Sequence, residues 1–394
     1  MRKQPGGARS LALAGFLAIA VAFGPARNGF GLFLPEFRDE FGLGIEVSGF
    51  IASGLQAGYL VALSAVGLLA AKTGPRPLVV AGGLCAGAGM TLVALAPNAA
   101  VLSAGVILAG TSAGWSWAPY NDAADRMVAP SLRGRVLSIV STGTTFGIVV
   151  AGLVALVAGA GWRSGWLIFA GAAGAATVIN ALVLPAGGSR PMPSPDIEEN
   201  RTVARSLRTE LFRRAGSGPL FSAAFVYGLI SAFYWSFSVD FVERTGNFPS
   251  GGAVFFVVLG LGGFVGLFTG ELVARFGFRL MLSGIFVTLG AATFLLGAFP
   301  AVIAAVVSSA ALYGADVMLM SALLAMWSSA TFPEQPSTGF SVTLFFFGTG
   351  SILGPALLGL LAGQFGIGGS LLISAVLALV ATLIKPGEVS LQKP

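Results

Sequence analysis

The sequence predicts an all-α integral membrane fold, with twelve transmembrane helices in two pseudo-symmetric six-helix bundles. Three observations lead there. Of 394 residues, 55% are hydrophobic, 10% are charged and 57 are glycine, whereas a soluble chain carries about 25% charged residues and about 7% glycine. The apolar residues gather in twelve separate stretches, each of about 19 to 29 residues and so long enough to cross a bilayer as a helix. A ten-residue pattern also occurs twice, once in each half, 203 positions apart.

The first six stretches are 11–34, 47–70, 78–96, 99–121, 136–158 and 163–184. The second six are 219–241, 252–274, 280–299, 301–329, 338–362 and 365–384. At about 1.5 Å rise per residue, about 20 residues cross a hydrocarbon layer of about 30 Å, so each stretch spans as a helix. The first also has the form of a secretory signal, because Met1-Arg2-Lys3 precedes apolar Leu11 to Phe23. The apolar run resumes at Phe30 to Leu34 beyond Arg27, which gives a full-length helix and not a short signal core. The fourth and tenth stretches argue against strands, since Val101 to Gly114 and Ala301 to Tyr313 are apolar on every side where a barrel strand would alternate. The longest break, 185–218, holds Pro185, Pro191, Pro193 and Pro195. It divides the chain into an N-terminal bundle (1–184), a linker (185–218) and a C-terminal bundle (219–394). Within the linker, from Asp196 to Arg214, Ile197, Val203, Leu207, Leu211 and Phe212 recur at roughly helical spacing among arginines, which predicts a short interfacial helix.

The charges map topology. Lysine and arginine total 22 against 16 acids. With both termini inside, 18 of the 22 fall on the cytoplasmic side; Arg38, Arg163 and Arg244 fall on the other, and Arg27 lies within a span. The positive-inside rule therefore predicts a multi-pass protein of the bacterial inner membrane with both termini cytoplasmic. The basic surplus is thereby accounted for without nucleic acid. Histidine is absent and Cys85 is the one cysteine, which excludes His-based acid/base chemistry, Cys/His zinc sites and internal disulfides. No P-loop pattern is present, so an ATP-driven pump is not expected. Neither catalytic residues, metal nor cofactor are expected, and the chain is read as a monomer in the lipid bilayer.

The repeat is Gly67-Leu68-Leu69-Ala70-Ala71-Lys72-Thr73-Gly74-Pro75-Arg76 between the second and third stretches. Its counterpart between the eighth and ninth is Gly270-Glu271-Leu272-Val273-Ala274-Arg275-Phe276-Gly277-Phe278-Arg279. Two cations four apart around a turn-forming glycine suit a short hairpin at the lipid headgroups. Copies at equivalent places in two six-helix halves point to the parallel-repeat architecture of secondary transporters.

On these residues the chain resembles the major facilitator superfamily along essentially its whole length. The first loop is similar to that family's G-x-L-a-D-r-x-G-r-k loop, but the family's Asp is Ala71 here and Ala274 in the second copy. The resemblance gives Gly67, Lys72, Gly74, Arg76, Gly270, Arg275, Gly277 and Arg279 a gating role. Asp122, Asp125, Arg126, Arg133 and Arg135 offer replacement pairs for Lys72 and Arg76, or else are solvated loop charges. Gly143, Gly147 and Gly152, and likewise Gly350, Gly354, Gly359 and Gly363, clear one helix face for close packing. The fifth helix is similar to the superfamily's antiporter motif, with Ile148 at the proline position.

Ionisable residues deep in a span cost about 2.5–3.5 kcal/mol on insertion scales, which makes them functional candidates. Arg27, beside Asn28, and Asp316 qualify, whereas Asp122, Asp240 and Glu271 lie near span ends and read as interfacial. The resemblance places helices 1, 4, 7 and 10 around a central cavity. Those helices also carry Trp115, Tyr120, Tyr227, Tyr234, Trp235 and Tyr313, candidates for substrate contact or simply for packing. Arg27 can hold a carboxylate with two parallel hydrogen bonds. Asp316 is a carboxyl able to take up a proton, or the two form a structural pair. The resulting expectation is a proton-coupled secondary transporter of a small organic solute, such as a monocarboxylate, working by rocker-switch alternating access. Proton-coupled multidrug efflux is the alternative.

Overall fold

The structure is a computed structural model that describes residues 5–159, 161–187, 214, 216–245 and 250–386. Every apolar stretch is helical and no strand occurs among the described residues. This is what lipid demands, since a helix satisfies its backbone polar groups internally where no water can. The spans keep chain order. Span 1 is Pro5–Val21, continued through a π-helical segment, Ala22–Ala26, into Arg27–Leu32, and the short helix Leu34–Phe41 follows it. Spans 2 to 6 are Ile45–Thr73, Pro75–Ala94, Ala99–Met127, Pro130–Ala158 and Trp162–Val183. Span 7 is Ser217–Thr245, span 9 Phe278–Ala298 and span 10 Ile303–Thr331. Span 8 runs from Gly251–Gly262 through a 3₁₀ segment, Gly263–Phe268, to Thr269–Phe276. The last continuous element, Pro336–Ala381, holds spans 11 and 12, which part at Gly366, the one non-helical residue inside it. The linker helix expected over 196–214 lies outside the described residues, apart from Arg214.

Local chemistry sets several boundaries. Asn98 caps span 4 by accepting from the Val101 amide at 3.0 Å. Pro75, Pro130 and Pro336 occupy first-turn positions, where a missing N–H costs nothing. Pro25 is different, because it lies inside span 1. It removes one ladder hydrogen bond and crowds the preceding turn, and the helix widens to π geometry there. The face of span 1 is thereby re-phased immediately before Arg27.

Glycine faces join the helices backbone to backbone. A methyl at Gly147 would overlap the Ala20 carbonyl of span 1, and one at Gly354 the Leu229 carbonyl of span 7. Between the halves, Gly31 packs on the Trp235 carbonyl, Gly49 on that of Pro355, and Gly152 on Val257 and Ala253. At mid-depth, Leu60 meets Gly348 and Thr145 meets Gly263. Toward the hairpins of the repeat the halves part: Thr269–Phe276, the hairpin end of span 8, packs on spans 9 and 10 of its own half and, among the described residues, against no first-half helix to a comparable extent. The bundle is therefore closed at the end bearing residues 34–45 and 240–252 and splayed at the hairpin end.

Candidate functional site

Arg27 lines a tight pocket of about 10 Å³ beneath the closed end, with Asn28, Gln56, Ala52, Trp235 and Ser236 among its walls. Span 1 supplies the cation, span 2 the amide and span 7 the ring, so both halves contribute. The guanidinium donates to Gln56 Oε1 at 3.0 Å and stacks over the Tyr59 ring at 3.9 Å from its centroid. Asn28 turns its amide back onto the Phe23 carbonyl at 2.5 Å. Arg27 makes no ion pair among the described residues. A hydrogen bond to a charged group contributes about 1.5–3 kcal/mol and a desolvated cation–π contact about 2 kcal/mol, enough to hold Arg27 at this depth. Neither contact cancels its charge. The pocket thus offers an uncompensated positive centre beside an aromatic wall.

Asp316 lies apart, 1% exposed inside the second half. It accepts from Tyr227 at 2.9 Å on Oδ2 and from Thr288 at 2.6 Å on Oδ1. No cation pairs with it among the described residues, so the structural pair with Arg27 is not formed: each has neutral partners of its own. The two regions touch indirectly. Tyr313, one turn before Asp316, packs edge-on against Trp235 at 5.7 Å between centroids.

The other aromatic candidates are corrected by their surroundings. Tyr120 is buried and donates to Asn180 Oδ1 at 2.7 Å, inside the first half. Trp115 sets its Cβ against Gly82 of span 3. Tyr234 shares a hydrogen bond of 2.5 Å with Ser309 and stacks on Tyr313, whose hydroxyl meets Ser231 at 2.6 Å. Tyr227 is spent on Asp316. These hydroxyls are satisfied within one bundle, and of the aromatic set only Trp235 lines the Arg27 pocket. Sequence reasoning missed Gln56, Tyr59 and Thr288. A polar residue inside an apolar stretch was the available signal for Gln56 and Thr288.

At the splayed end the repeat is geometrically real. Gly74 has φ 79° and Gly277 φ 80°, both in the region that disfavours side chains, and each ends one helix and starts the next. Lys72 and Arg275 are exposed beside them. Among the described residues no ion pair joins Asp122 or Asp125 to Lys72 or Arg76. Asp122 pairs with Arg126 at 2.7 Å and Asp125 with Arg133, so the acids are used within the hairpin of spans 4 and 5. Arg76 and Arg279 make no ion pair among the described residues. Gly277→Val is expected to strain the turn by about 1–2 kcal/mol and to slow transport at equal membrane protein level. Flux and surface abundance of Gly74→Val and Gly277→Val test this, and wild-type flux in both would leave the repeat without a mechanical role.

The closed end carries an ion network that spans the halves. Asp240, fully buried, pairs with Arg38 of the first half and with Arg244 at 2.8 Å, and Arg244 reaches Asp39 of the first half at 2.7 Å. Asp240 is therefore not interfacial, as its position near a span end suggested. Glu36 Oε2 is buried nearby without a hydrogen-bond partner among the described residues. Burial first, then the Glu243, Asp39 and Asp240 carboxylates, push the Glu36 pKa up to about 7, against a backbone hydrogen bond that lowers it.

Comparisons with known proteins agree on this architecture. Residues 11–323 match the family model described as Major Facilitator Superfamily. Over 104 residues the chain is 36% identical to chloramphenicol efflux pumps from two strains of Mycobacterium tuberculosis, which covers 26% of this chain and 25% of each pump. The chain thus spans about a quarter of the length of the curated relatives it matches. Among solved structures, a bacterial homolog of the human lysosomal transporter Spinster, inward-facing and unoccupied, is similar with a TM-score of 0.75 at 16% identity, over 97% of this chain and 96% of that one. The peptide transporter POT gives 0.78 at 15% identity over 97% and 93%. The nucleoside transporter NupG gives 0.75 at 12% identity over 95% and 98%. At these identities the likeness is one of fold.

Proposed function

Since the chain belongs to the Major Facilitator Superfamily and is a multi-pass membrane transporter, we propose that it moves a small organic anion, such as a monocarboxylate, with protons as the coupling ion. The single observation that carries the reading is Arg27, a cation without a carboxylate partner in a pocket to which both halves contribute. A substrate carboxylate would supply the missing charge, with Trp235 and Gln56 fixing its remainder. Asp316 is the proton site in this reading, buried on neutral donors and linked to the pocket wall through Tyr313 and Trp235. Opening the closed end while the hairpin end shuts would give alternating access to one site. Residues 1–184 and 219–394 act as the moving bundles and 185–218 as their linker, in a monomer.

Efflux of uncharged or amphipathic drugs is the second reading, favoured by the 104-residue match to chloramphenicol efflux pumps. Proteoliposomes with an imposed pH gradient separate the two. Benzoate or lactate is expected to accumulate, while movement of chloramphenicol with no anion flux would replace the first reading by the second.

The membrane in this proposal is the bacterial inner membrane, with both termini and the hairpin end cytoplasmic. A cysteine replacing Ser131, exposed in the hairpin of spans 4 and 5, with Cys85 removed, should resist impermeant thiol reagents in intact cells. Rapid labelling from outside would invert the orientation.

A further inference from the structure

Thr288 of span 9 has more acceptors than it can serve. Its Oγ1 lies 2.6 Å from Asp316 Oδ1, 3.0 Å from the Gly284 carbonyl and 2.9 Å from the Ile285 carbonyl. A hydroxyl has one proton to donate and two lone pairs to accept with. Only one of the three contacts can be a donation at a time. The other partner of Asp316, Tyr227 of span 7, donates to Oδ2. Tyr313 is the titratable group on Asp316's own helix, and its hydroxyl is engaged with Ser231. No lysine, arginine or second carboxylate pairs with Asp316 among the described residues.

The consequence follows from counting donors. When Asp316 is ionised it can only accept, and Tyr227 and Thr288 each give it a proton donor. When a proton from water arrives on Oδ1, an O–H bond forms there, and that group must now donate. Thr288 can receive it, because its own proton has the Gly284 or Ile285 carbonyl to turn to. We propose that Thr288 is a positioning residue for proton coupling, whose hydroxyl turns between Asp316 and its own helix so that the carboxyl keeps two hydrogen bonds with and without its proton. The turn carries no net transfer of its own: one proton enters from water and rests on Asp316, and Thr288 keeps the proton it had.

This inference rests on the reading of Asp316 as the proton site, and its test tells the two apart. Purified protein in lipid vesicles is compared at acid and alkaline pH by infrared difference spectroscopy. Wild type should give a carboxylic C=O band that is absent in Asp316→Asn. Thr288→Val should move that band and Thr288→Ser should restore it. In the same vesicles, accumulation of benzoate or chloramphenicol, whichever the wild type carries, should fall about tenfold or more in Thr288→Val while exchange stays within about threefold, the size expected for a buried carboxyl left without one partner. Thr288→Ala makes the same comparison where valine disturbs folding. Full accumulation in Asp316→Asn would overturn the proton site itself. Loss in Asp316→Asn, with an unmoved band and full accumulation in both Thr288→Val and Thr288→Ala, would overturn the role of Thr288 alone.

Discussion

Asparagine at position 316 is expected to abolish proton-driven accumulation and to leave substrate exchange close to the wild-type rate. The amide fits the site that the carboxyl leaves. Its oxygen accepts from Tyr227, and its NH₂ donates to Thr288, whose proton has the Gly284 and Ile285 carbonyls within 3.0 Å and 2.9 Å. Tyr227 and Thr288 keep a partner and the second amide N–H is the group added without one, so stability should fall by about 1–3 kcal/mol. The variant is then a transporter fixed in the neutral form of the coupling residue. Arg27→Gln should fail differently, by weakening an anionic substrate about 10- to 100-fold, the worth of one charge-assisted interaction of about 1.5–3 kcal/mol. Arg27→Lys should fall between, because an ammonium keeps the charge but loses the planar stack on Tyr59 and the two-point contact. Since Arg27 and Asp316 have separate partners, the double neutral variant should combine both defects. Recovery of folding and coupled transport in Arg27→Gln, Asp316→Asn would instead identify a structural pair and remove both functional roles.

The contrast between these charges and their partners shows what a sequence of this kind discloses. Twelve spans and two halves were legible because a bilayer imposes length and apolarity on every segment, and the signal is written into each stretch separately. The turn glycines were legible for the same reason, since Gly74 and Gly277 end helices whatever surrounds them. Arg27 and Asp316 stood out as costly residues in apolar runs. Their partners did not, because Gln56, Tyr59, Thr288 and Tyr227 come from other spans, and helices apolar on all sides carry no periodicity that says which face meets which. The tyrosines were misplaced by the same gap: a hydroxyl on a cavity-lining helix can point into the cavity or back into its bundle, and partners such as Asn180 and Ser309 decide. Pro25 was the unread signal for the π segment that re-phases span 1. Asp240 was misread because proximity to a span end suggests water, whereas packing of the short helix Leu34–Phe41 against span 7 buries it.

Asp240→Asn is expected to unlatch the closed end. Among the described residues Asp240 is the one acid that holds both Arg38 and Arg244, and through Arg38 it ties span 7 to the first half. Removing one partner of a buried ion pair costs about 3–5 kcal/mol. The arginine side chains here keep 15% and 39% of their exposure, so water offsets part of that loss and about 2 kcal/mol is the reasonable figure. Such a change shifts the balance between closed and open by about 30-fold. A cysteine replacing Ser236, buried in the Arg27 pocket beneath the network, should therefore react much faster in Asp240→Asn with a thiol reagent added from the Asp240 side. Unchanged reactivity would mean that helix packing at Gly31 and Gly49, and not the ion network, keeps this end shut. Glu36 adds a pH dependence whose sign is fixed by its environment. Its carboxyl is pushed from 4.5 up to about 7 in the closed arrangement, so closure binds the proton. The stabilisation it contributes is complete below the ordinary value and is lost as pH rises through about 7. Labelling at Ser236→Cys, taken at each pH relative to the same cysteine in a Glu36→Gln background so that the ordinary rise in thiolate cancels, should accordingly quicken between about pH 5 and about pH 8. A Glu36→Gln protein that still opened with rising pH would place the titrating group elsewhere in the network.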